Sequence, residues 1–392
     1  MASVGIICEY NPFHLGHARQ ISLIRQQFGQ DAAIVCLMSG SFVQRGEPAI
    51  FPRLSRARAA MVCGADLVLE LPALGSLSSA EGFARTGVRF LSPICDHLCF
   101  GTESGTAEGL TVTAEALLHP AFSEALRAAL STGVSFPAAR QAALEQMGMK
   151  ADLLVRPTDI LGVEYCKAIL RQKRSLQPLP IARVGAAHGA DAQPGQQFAS
   201  ASAVRRLWSK EETGQSLQWL PQNTHALYKA ALNAGQGIAP LRADIAVLSR
   251  LRAMTAAEIA DIRGVNEGLE NRLAACVRTA VSLPALYDAL KTKRYAHSRL
   301  RRLVLDAALG YTDSLPEMPP FALVLGAKGQ ALPLLKHADI PAGSSLAKLA
   351  EQSEACRLAA NAHAAAADLA VLCRKTPGPM GLSFTQKPVL LK

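Results

Sequence analysis

Two histidines near the amino terminus lie three positions apart in the segment His14-Leu15-Gly16-His17. The segment follows an apolar run, Val4–Cys8, that predicts a buried strand, and it opens a helical pattern, His17–Gln27. When the α-phosphate of ATP is attacked, negative charge accumulates on its oxygens, and two imidazoles can donate hydrogen bonds to them. Gly16 lets the backbone approach the phosphates, and the positive end of the helix points at the same place. We therefore predict that His14 and His17 stabilise a nucleotide under attack; metal ligands or two surface histidines are the alternatives.

Polar loops follow two more of the predicted strands. Ser39–Pro48 combines glycines and hydroxyl groups with Arg45, which suits an anion-binding loop but also an ordinary strand-to-helix turn. Cys99–Gly105 follows the fourth predicted strand, and Gly101 there would allow an adenine or a ribose to lie against the backbone. Both loops are therefore candidates for contacts with a nucleotide.

Two carboxylates bracket the third predicted strand. Asp66 and Glu70 lie within the segment Gly64–Pro72. They either position substrates or end a buried strand in polar groups, and we favour the structural role.

The elements that position these residues alternate along the first hundred residues. Short apolar runs, typical of buried strands, occur at Val4–Cys8, Ala32–Met38, Leu67–Leu71 and His97–Phe100, and helical patterns at His17–Gln27, Leu54–Cys63 and Ser79–Leu91. This alternation predicts an α/β fold, a Rossmann-like parallel sheet with helices on both faces. Such sheets bind ligands at the carboxyl ends of their strands, which is where the polar loops fall.

The rest of the chain is mainly helical in pattern. The exceptions are a predicted strand at Pro178–Val184, a loop rich in glycine and alanine over 185–195, and a strand at Phe321–Leu325. Ser200 is expected to open a helix that runs to Trp208. We predict three units: a nucleotidyltransferase-like, ATP-binding catalytic domain (1–175), a mostly helical, basic region that binds tRNA (176–315) and a small C-terminal unit (316–392).

The charge balance points to an anionic partner. Lys and Arg number 41 against 31 Asp and Glu, a formal net charge of +10 over 392 residues. Excess positive charge attracts polyanions, tRNA above all, although a generic basic surface is the alternative. Cations are concentrated in Lys291–Arg302, where Tyr295 offers a ring on which bases can stack. This segment is therefore expected to contact tRNA, or else to be a solvated helix face.

The chain shows neither the pattern of a membrane segment nor a set of cysteines at zinc-ligand spacing. It has no apolar run of about 18 residues and no basic segment before its apolar start, so we expect neither a membrane span nor a signal peptide. Nine cysteines are scattered, and the pair Cys95 and Cys99 has no second pair at zinc-ligand spacing. We expect a cytoplasmic, reduced protein without a bound metal.

Taken together, the motifs resemble those of the tRNA(Met) cytidine acetate ligase family. H-x-G-H alone is the signature of nucleotidylyl-transfer enzymes in general, but its combination with Arg45-Gly46-Glu47-Pro48 and Glu267-Gly268-Leu269-Glu270 is highly specific. Other segments similar to the family are Asp159–Tyr165, Ile181–Gly185, Ala199–Arg205, Glu267–Arg272, Thr292–Tyr295 and Arg299–Arg302. The resemblance covers at least Val4–Arg302.

The resemblance implies an ATP-dependent ligase acting in two steps. Acetate and ATP, accompanied by Mg²⁺, give acetyl-adenylate and pyrophosphate, and the acetyl group then passes to the wobble cytidine of elongator tRNA(Met) to give N4-acetylcytidine. The implied ATP-binding residues are Ile7, Cys8, Glu9, Tyr10, Asn11, Pro12, Phe13, His14, Leu15, Gly16, His17, Ala18, Arg19, Gln20, Gly101 and Arg183. A further contact comes from an Asn in the family; Thr158 and Asp159 occupy that place here.

Two other functions would preserve part of the pattern. A small-molecule adenylyltransferase would retain H-x-G-H but would not need the long basic, helical extension. A non-catalytic RNA-binding protein would retain the charge but would not need a histidine pair after a strand. The chain also has no G-x-x-x-x-G-K-[ST] loop, which a kinase-like route would suggest.

Overall fold

The computed structural model describes residues 1–172, 174–184, 196–210, 212–266, 268–292 and 295–391. The predicted loop 185–195 lies outside the described residues. So do Glu267, Lys293 and Arg294, three positions on which the resemblance or the basic segment relied.

One large sheet organises the molecule. Its strands and those of a small hairpin are β1 (Ser3–Cys8), β2 (Ala33–Ser39), β3 (Phe42–Val43), β4 (Glu47–Pro48), β5 (Leu67–Leu71), β6 (His97–Thr102), β7 (Gln177–Ala182), β8 (Ala322–Lys328), β9 (Ala342–Gly343) and β10 (Val389–Leu391). The order across the sheet is β10-β8-β5-β2-β1-β6-β7, with β9 beside β8, and β3 pairs with β4 in the hairpin. Strands β5, β2, β1, β6 and β7 run parallel, so their carboxyl ends meet at one edge.

Helices cover both faces of the sheet. In chain order they are α1 (Leu15–Phe28), α2 (Arg53–Val62), α3 (Ala73–Ser76), α4 (Ala80–Leu91), α5 (Ala107–Leu118), α6 (Pro120–Ser131), α7 (Phe136–Gln146), α8 (Pro157–Gln172), α9 (Ala201–Ser209), α10 (Thr213–Ser216), α11 (Gln222–Asn233), α12 (Pro240–Arg252), α13 (Ala256–Ala260), α14 (Leu269–Thr279), α15 (Leu283–Leu290), α16 (His297–Leu309), α17 (Leu346–Ala350), α18 (Glu354–Leu372) and α19 (Leu382–Thr385).

The sheet is buried on both sides because its strands alternate between two apolar cores. On β2, Val35 and Leu37 pack with α4, α5 and α8, while Cys36 and Met38 face the core shared with α1, α2, α12, α16 and α18. Side chains of a strand point to opposite faces in turn, so a continuous apolar run such as β2 supplies both cores. The helices after residue 200 thus pack on one face, and α4–α8 on the other.

Most of the predicted elements are confirmed. The four amino-terminal strands, the strand near residue 180 and the helix capped by Ser200 all form, with ends shifted by a few residues. The amino-terminal strands β1, β2, β5 and β6 run parallel as predicted, and β8, from the end of the chain, adds antiparallel to β5. Strands from all three predicted units join this one sheet, and how the chain divides into units stays a prediction. Within the described part of the chain, no helix has the length and hydropathy of a membrane span.

Candidate active site

The two histidines cap the first helix with one ring nitrogen each. His14 is the N-cap of α1, and its Nδ1 accepts a hydrogen bond from the backbone N–H of Gly16 at 3.1 Å. His17 Nδ1 accepts from the backbone N–H of His14 at 3.2 Å, which completes a reciprocal capping box. Because each Nδ1 is an acceptor, each ring carries its proton on Nε2. Both Nε2–H groups are therefore donors at the amino end of a helix.

The surroundings keep these two rings uncharged. Burial, and to a smaller extent the charge of Arg183, lower the pKa of His14 to about 3. Burial, His14 and Arg183 also bring the pKa of His17 well below its ordinary value. The rings stack with centroids 3.7 Å apart, and Tyr10 meets His17 edge-on at 4.9 Å. Two neutral, rigidly held imidazoles are thus presented as hydrogen-bond donors.

The charge of Arg183 acts on both histidines, and Gly101 lies against the Arg183 side chain; the ATP contacts that the resemblance implies for both residues stay a prediction. The backbone N–H of Arg183 donates to the carbonyl of Thr102 at 2.9 Å, which fixes the residue at the end of β7. A side chain on Gly101 would lie 3.2 Å from Cγ of Arg183, so the missing Cβ makes room for the arginine stem. The space beside Gly101, which we had assigned to adenine or ribose, is therefore partly filled by Arg183. The exposed guanidinium adds a positive charge to the edge where the imidazoles donate.

Thr158 and Asp159 take different places at the start of α8. The carboxylate of Asp159 is fully buried and accepts hydrogen bonds from the hydroxyl of Thr102 at 2.5 Å and that of Ser104 at 2.7 Å. Burial raises the pKa of Asp159, but these and two backbone hydrogen bonds outweigh it and bring the pKa below its ordinary value. Asp159 thereby holds the loop after β6. The half-buried Thr158 donates to Glu103 at 2.9 Å, and the ATP contact implied for this pair stays a prediction.

Several other residues of the first turn anchor it to neighbouring strands and loops. Glu9 Oε1 accepts from the backbone of Gln44 at 2.9 Å, and Asn11 Oδ1 accepts from that of Ile50 at 2.7 Å. Arg19 donates to the carbonyl of Ala182, and Gln20 donates to that of Cys99.

The other residues implied for ATP binding lie along the same stretch. Ile7 and Cys8 end β1, Tyr10, Pro12 and Phe13 form the turn, and Leu15, Gly16 and Ala18 lie in the first turn of α1. The hydrogen bonds of this stretch hold in place the turn that carries the histidines, and the ATP contacts of its residues stay a prediction.

A buried arginine that the sequence analysis overlooked ties the ends of β1 and β2 together. Arg56, on α2, is fully buried and donates to the carbonyls of Glu9 at 2.6 Å and Ser39 at 2.9 Å, and also to those of Gly40 and Phe51. Burial lowers its pKa to about 10, so it stays charged at neutral pH. Nothing in the local sequence marked Arg56, because the carbonyls that it contacts lie up to 47 residues away.

Two further residues that were not predicted as site residues link the later helices to the turn. Arg205, on α9, donates to the carbonyl of Asn11 at 2.7 Å and pairs with Glu47 at 2.7 Å. The hydroxyl of Tyr228, on α11, accepts from the backbone N–H of Phe13 at 3.0 Å. Arg205 lies in a segment that the resemblance included, whereas nothing in the sequence marked Tyr228.

The remaining candidates have mainly structural contacts. Asp66 accepts hydrogen bonds from the backbone of Ile34 and from Arg25 and Lys328, which supports the structural role we favoured. Glu70 is fully buried near Arg53 and His363, at 3.4 Å and 3.6 Å. The loop Ser39–Pro48 forms the β3–β4 hairpin, with Arg45 exposed.

The basic segment does not offer the stacking surface that we expected. Tyr295 is buried, and the guanidinium of Arg299 lies 4.6 Å from the centre of its ring. Lys291 Nζ donates to the carbonyl of Tyr295 at 2.7 Å, and Arg302 donates to that of Gln44 at 3.3 Å. The expectation that bases stack on Tyr295 is therefore wrong, because its ring is covered by protein.

The chain is similar in sequence and in fold to several known proteins. A family model described as HIGH Nucleotidyl Transferase matches residues 1–377. A tRNA(Met) cytidine acetate ligase of Acetivibrio thermocellus is 32% identical over 421 residues, covering 100% of both chains. One of Alkaliphilus metalliredigens is 35% identical and covers 78% of this chain and 76% of its own. Crystal structures of Thermotoga maritima TmcAL match over 100% of both chains at 27% identity, with TM-scores of 0.92 for the apo form and 0.90 for the form bound with alpha-thio ATP.

Proposed function

Because the chain belongs to the tRNA(Met) cytidine acetate ligase family of HIGH nucleotidyl transferases, we propose that it activates acetate with ATP and acetylates the wobble cytidine of elongator tRNA(Met). The observation that carries the proposal is the pair of neutral imidazoles at the amino end of α1, with Arg183 beside them. The similarity to tRNA(Met) cytidine acetate ligases supports acetate and tRNA(Met) as substrates. The position of the two imidazoles supports attack on the α-phosphate of ATP.

In the first step an acetate oxygen attacks the α-phosphorus of ATP, and the bond to the bridging oxygen of pyrophosphate breaks. Charge grows on the non-bridging oxygens, where the Nε2–H groups of His14 and His17 donate hydrogen bonds. The amino end of α1 and the guanidinium of Arg183 add positive potential at the same edge. Mg²⁺ bound to the phosphates would neutralise the leaving pyrophosphate. The products are acetyl-adenylate and pyrophosphate.

In the second step the exocyclic amine of cytidine attacks the acetyl carbonyl. The C–N bond forms, the bond between the carbonyl carbon and the phosphate oxygen breaks, AMP leaves and the amine loses one proton. Holding the mixed anhydride next to the base makes this step effectively intramolecular. The products are N4-acetylcytidine and AMP.

The test uses the purified full chain with ATP and labelled acetate. Without tRNA, we expect acetate-dependent exchange of pyrophosphate into ATP. With tRNA(Met), labelled acetyl should appear in the nucleoside with one AMP formed per acetyl transferred, and acetyl-CoA without ATP should give none. Formation of ADP, or transfer from acetyl-CoA alone, would overturn the mechanism. Exchange that requires a different small acid and no RNA would favour a small-molecule adenylyltransferase.

A further inference from the structure

A cavity of about 1020 Å³ lies between the β3–β4 hairpin and the helices α9, α11, α12, α15 and α16. Its volume is in the range of sites that hold organic ligands. None of His14, His17, Gly101 and Arg183 lines it, so it is not the candidate active site described above. Apolar side chains make up much of its lining, among them Ile50, Val247, Leu305 and the ring of Tyr287.

The charged groups of the lining favour an anion. Five of them are cationic, Arg205, Arg206, Lys229, Arg301 and Lys375, and two are carboxylates, Glu47 and Asp244. Glu47 already pairs with Arg205 at 2.7 Å and lies 3.9 Å from Arg301. Asp244 accepts a hydrogen bond from the backbone of Leu283 at 2.9 Å. Positive charge thus predominates around an apolar interior.

One of these cations lies over an aromatic ring. The guanidinium of Arg301 lies 5.2 Å from the centre of the Tyr287 ring, and the side chain is 40% exposed. Arginine side chains stack against nucleobases in proteins that bind unstacked RNA, and the partly exposed guanidinium of Arg301 is available for such a contact. A planar, weakly polar group joined to a phosphate matches an apolar interior with cations around it.

Two residues that line the cavity also hold the segment 9–17, which carries the two histidines and is called the histidine turn below. Arg205 and Tyr228 both line the cavity, and they hydrogen-bond to the backbone of Asn11 and Phe13, just before His14. A ligand in the cavity would therefore lie against the groups that hold the catalytic turn. This is where a chain of nucleotides leading to the reacting cytidine would be expected.

We propose that this cavity receives one unstacked nucleotide of the RNA substrate, with its base against the apolar interior and its phosphate near Arg205, Lys229 and Arg301. The inference rests on the proposed function, which supplies the RNA. A base in a stacked loop presents only its edges, so extruding one nucleotide gives the protein a face to bind and anchors the RNA.

The test fills the cavity without touching the histidine turn. Ala226, an exposed lining residue of α11, is replaced by Trp, and Ala128→Trp on α6, across the sheet, is the matched control. We expect Ala226→Trp to raise the KM for tRNA at least tenfold, while acetate-dependent pyrophosphate exchange without RNA stays within twofold of wild type. Ala128→Trp should change neither value.

A second readout locates the nucleotide directly. Anticodon stem-loops carrying 2-aminopurine at one loop position each are titrated with wild-type protein. We expect fluorescence to rise at one position, as that base unstacks, and the rise to be lost with Ala226→Trp. If Ala226→Trp does not fold, Lys229→Glu is used instead. Lys229 is an exposed residue of the same cavity, and its substitution should also weaken RNA binding tenfold.

The outcomes separate this inference from the proposed function. If wild type neither exchanges pyrophosphate with acetate nor acetylates tRNA, the proposed function fails. If wild type does both, and the cavity variants keep the wild-type KM for tRNA or the wild-type fluorescence rise, the inference alone is overturned.

Discussion

The two imidazoles of the first turn divide their nitrogens between the fold and the ligand. Each Nδ1 accepts a backbone N–H and so completes the cap of α1, which leaves each Nε2 to donate. Burial and Arg183 lower the pKa values of both histidines. Both imidazoles are therefore neutral near pH 7, before any phosphate binds. A substitution that preserves one nitrogen and removes the other can therefore separate the two roles.

His17→Asn makes that separation. The Asn oxygen can take the place of Nδ1 and preserve the cap, but no donor remains at the position of Nε2. Loss of a transition-state donor typically costs about 10²–10³ in rate, so acetate-dependent pyrophosphate exchange should fall by that factor. His17→Ala should show the same loss of exchange and, in addition, a lower unfolding midpoint because the cap is gone. Wild-type exchange kinetics in a folded His17→Asn variant would exclude the phosphate role.

At this scale the sequence predicted the residues that share a local motif and missed those defined by distant contacts. His14 and His17 were predictable because a strand, a glycine and a helix start surround them within a few residues. Arg56 reaches carbonyls up to 47 residues away, and Tyr228 meets a backbone 215 residues away. No local pattern records such contacts, and the burial of the Tyr295 ring could not be recognised from the basic segment around it either.

Among the elements, the β3–β4 hairpin depends on a close approach to α16. Gly46 has φ of +75°, and a Cβ there would lie 2.7 Å from both Cβ of Arg301 and the backbone N of Arg302. The hairpin also presents Glu47 to Arg205 of α9, so it connects the sheet to the later helices. Only glycine fits at position 46, where the β3–β4 hairpin contacts the backbone of α16.

Gly46→Ala should therefore destabilise the protein strongly. The left-handed backbone and the overlap with α16 together should cost about 2–4 kcal/mol in unfolding free energy. The matched control is Gly133→Ala, which has a similar φ of +81° but no atom within 4 Å of the added Cβ. That control should cost only about 1 kcal/mol, measured by denaturant unfolding. Equal losses would show that the backbone conformation alone matters at Gly46.

The same reasoning explains which parts of the fold were predictable. The parallel strands β1, β2, β5 and β6 are short apolar runs separated by amphipathic helices, and the crossover rule places them in one sheet. The position of β8 was not predictable, because Ala327 pairs with Leu67 across most of the chain. A strand that joins from so far away carries no local sign of its partner or its direction.

At the scale of the whole molecule, tRNA could be attracted by the net positive charge or bound by the cations on one face of the sheet. The chain carries a formal charge of +10, and the sheet separates the helices that surround the cavity from α4–α8. Lys229 and Arg242 are exposed on the cavity side, and Arg127 and Lys150 are exposed on the other. Reversing either pair changes the net charge equally.

We expect Lys229→Glu with Arg242→Glu to weaken tRNA binding at least tenfold, and Arg127→Glu with Lys150→Glu to change it less than threefold. Binding of RNA phosphates releases counterions, so log Kd should rise linearly with log salt for wild type. Each lost phosphate contact reduces that slope by about 1, so the cavity-side variant should show a shallower line and the other variant an unchanged one. Filter binding across a salt series measures both the Kd and its salt slope.

Acetate-dependent pyrophosphate exchange without RNA should stay at the wild-type rate in both variants, because neither pair contacts the histidine turn. Equal weakening by the two variants would mean that net charge, rather than this face of the molecule, attracts the tRNA.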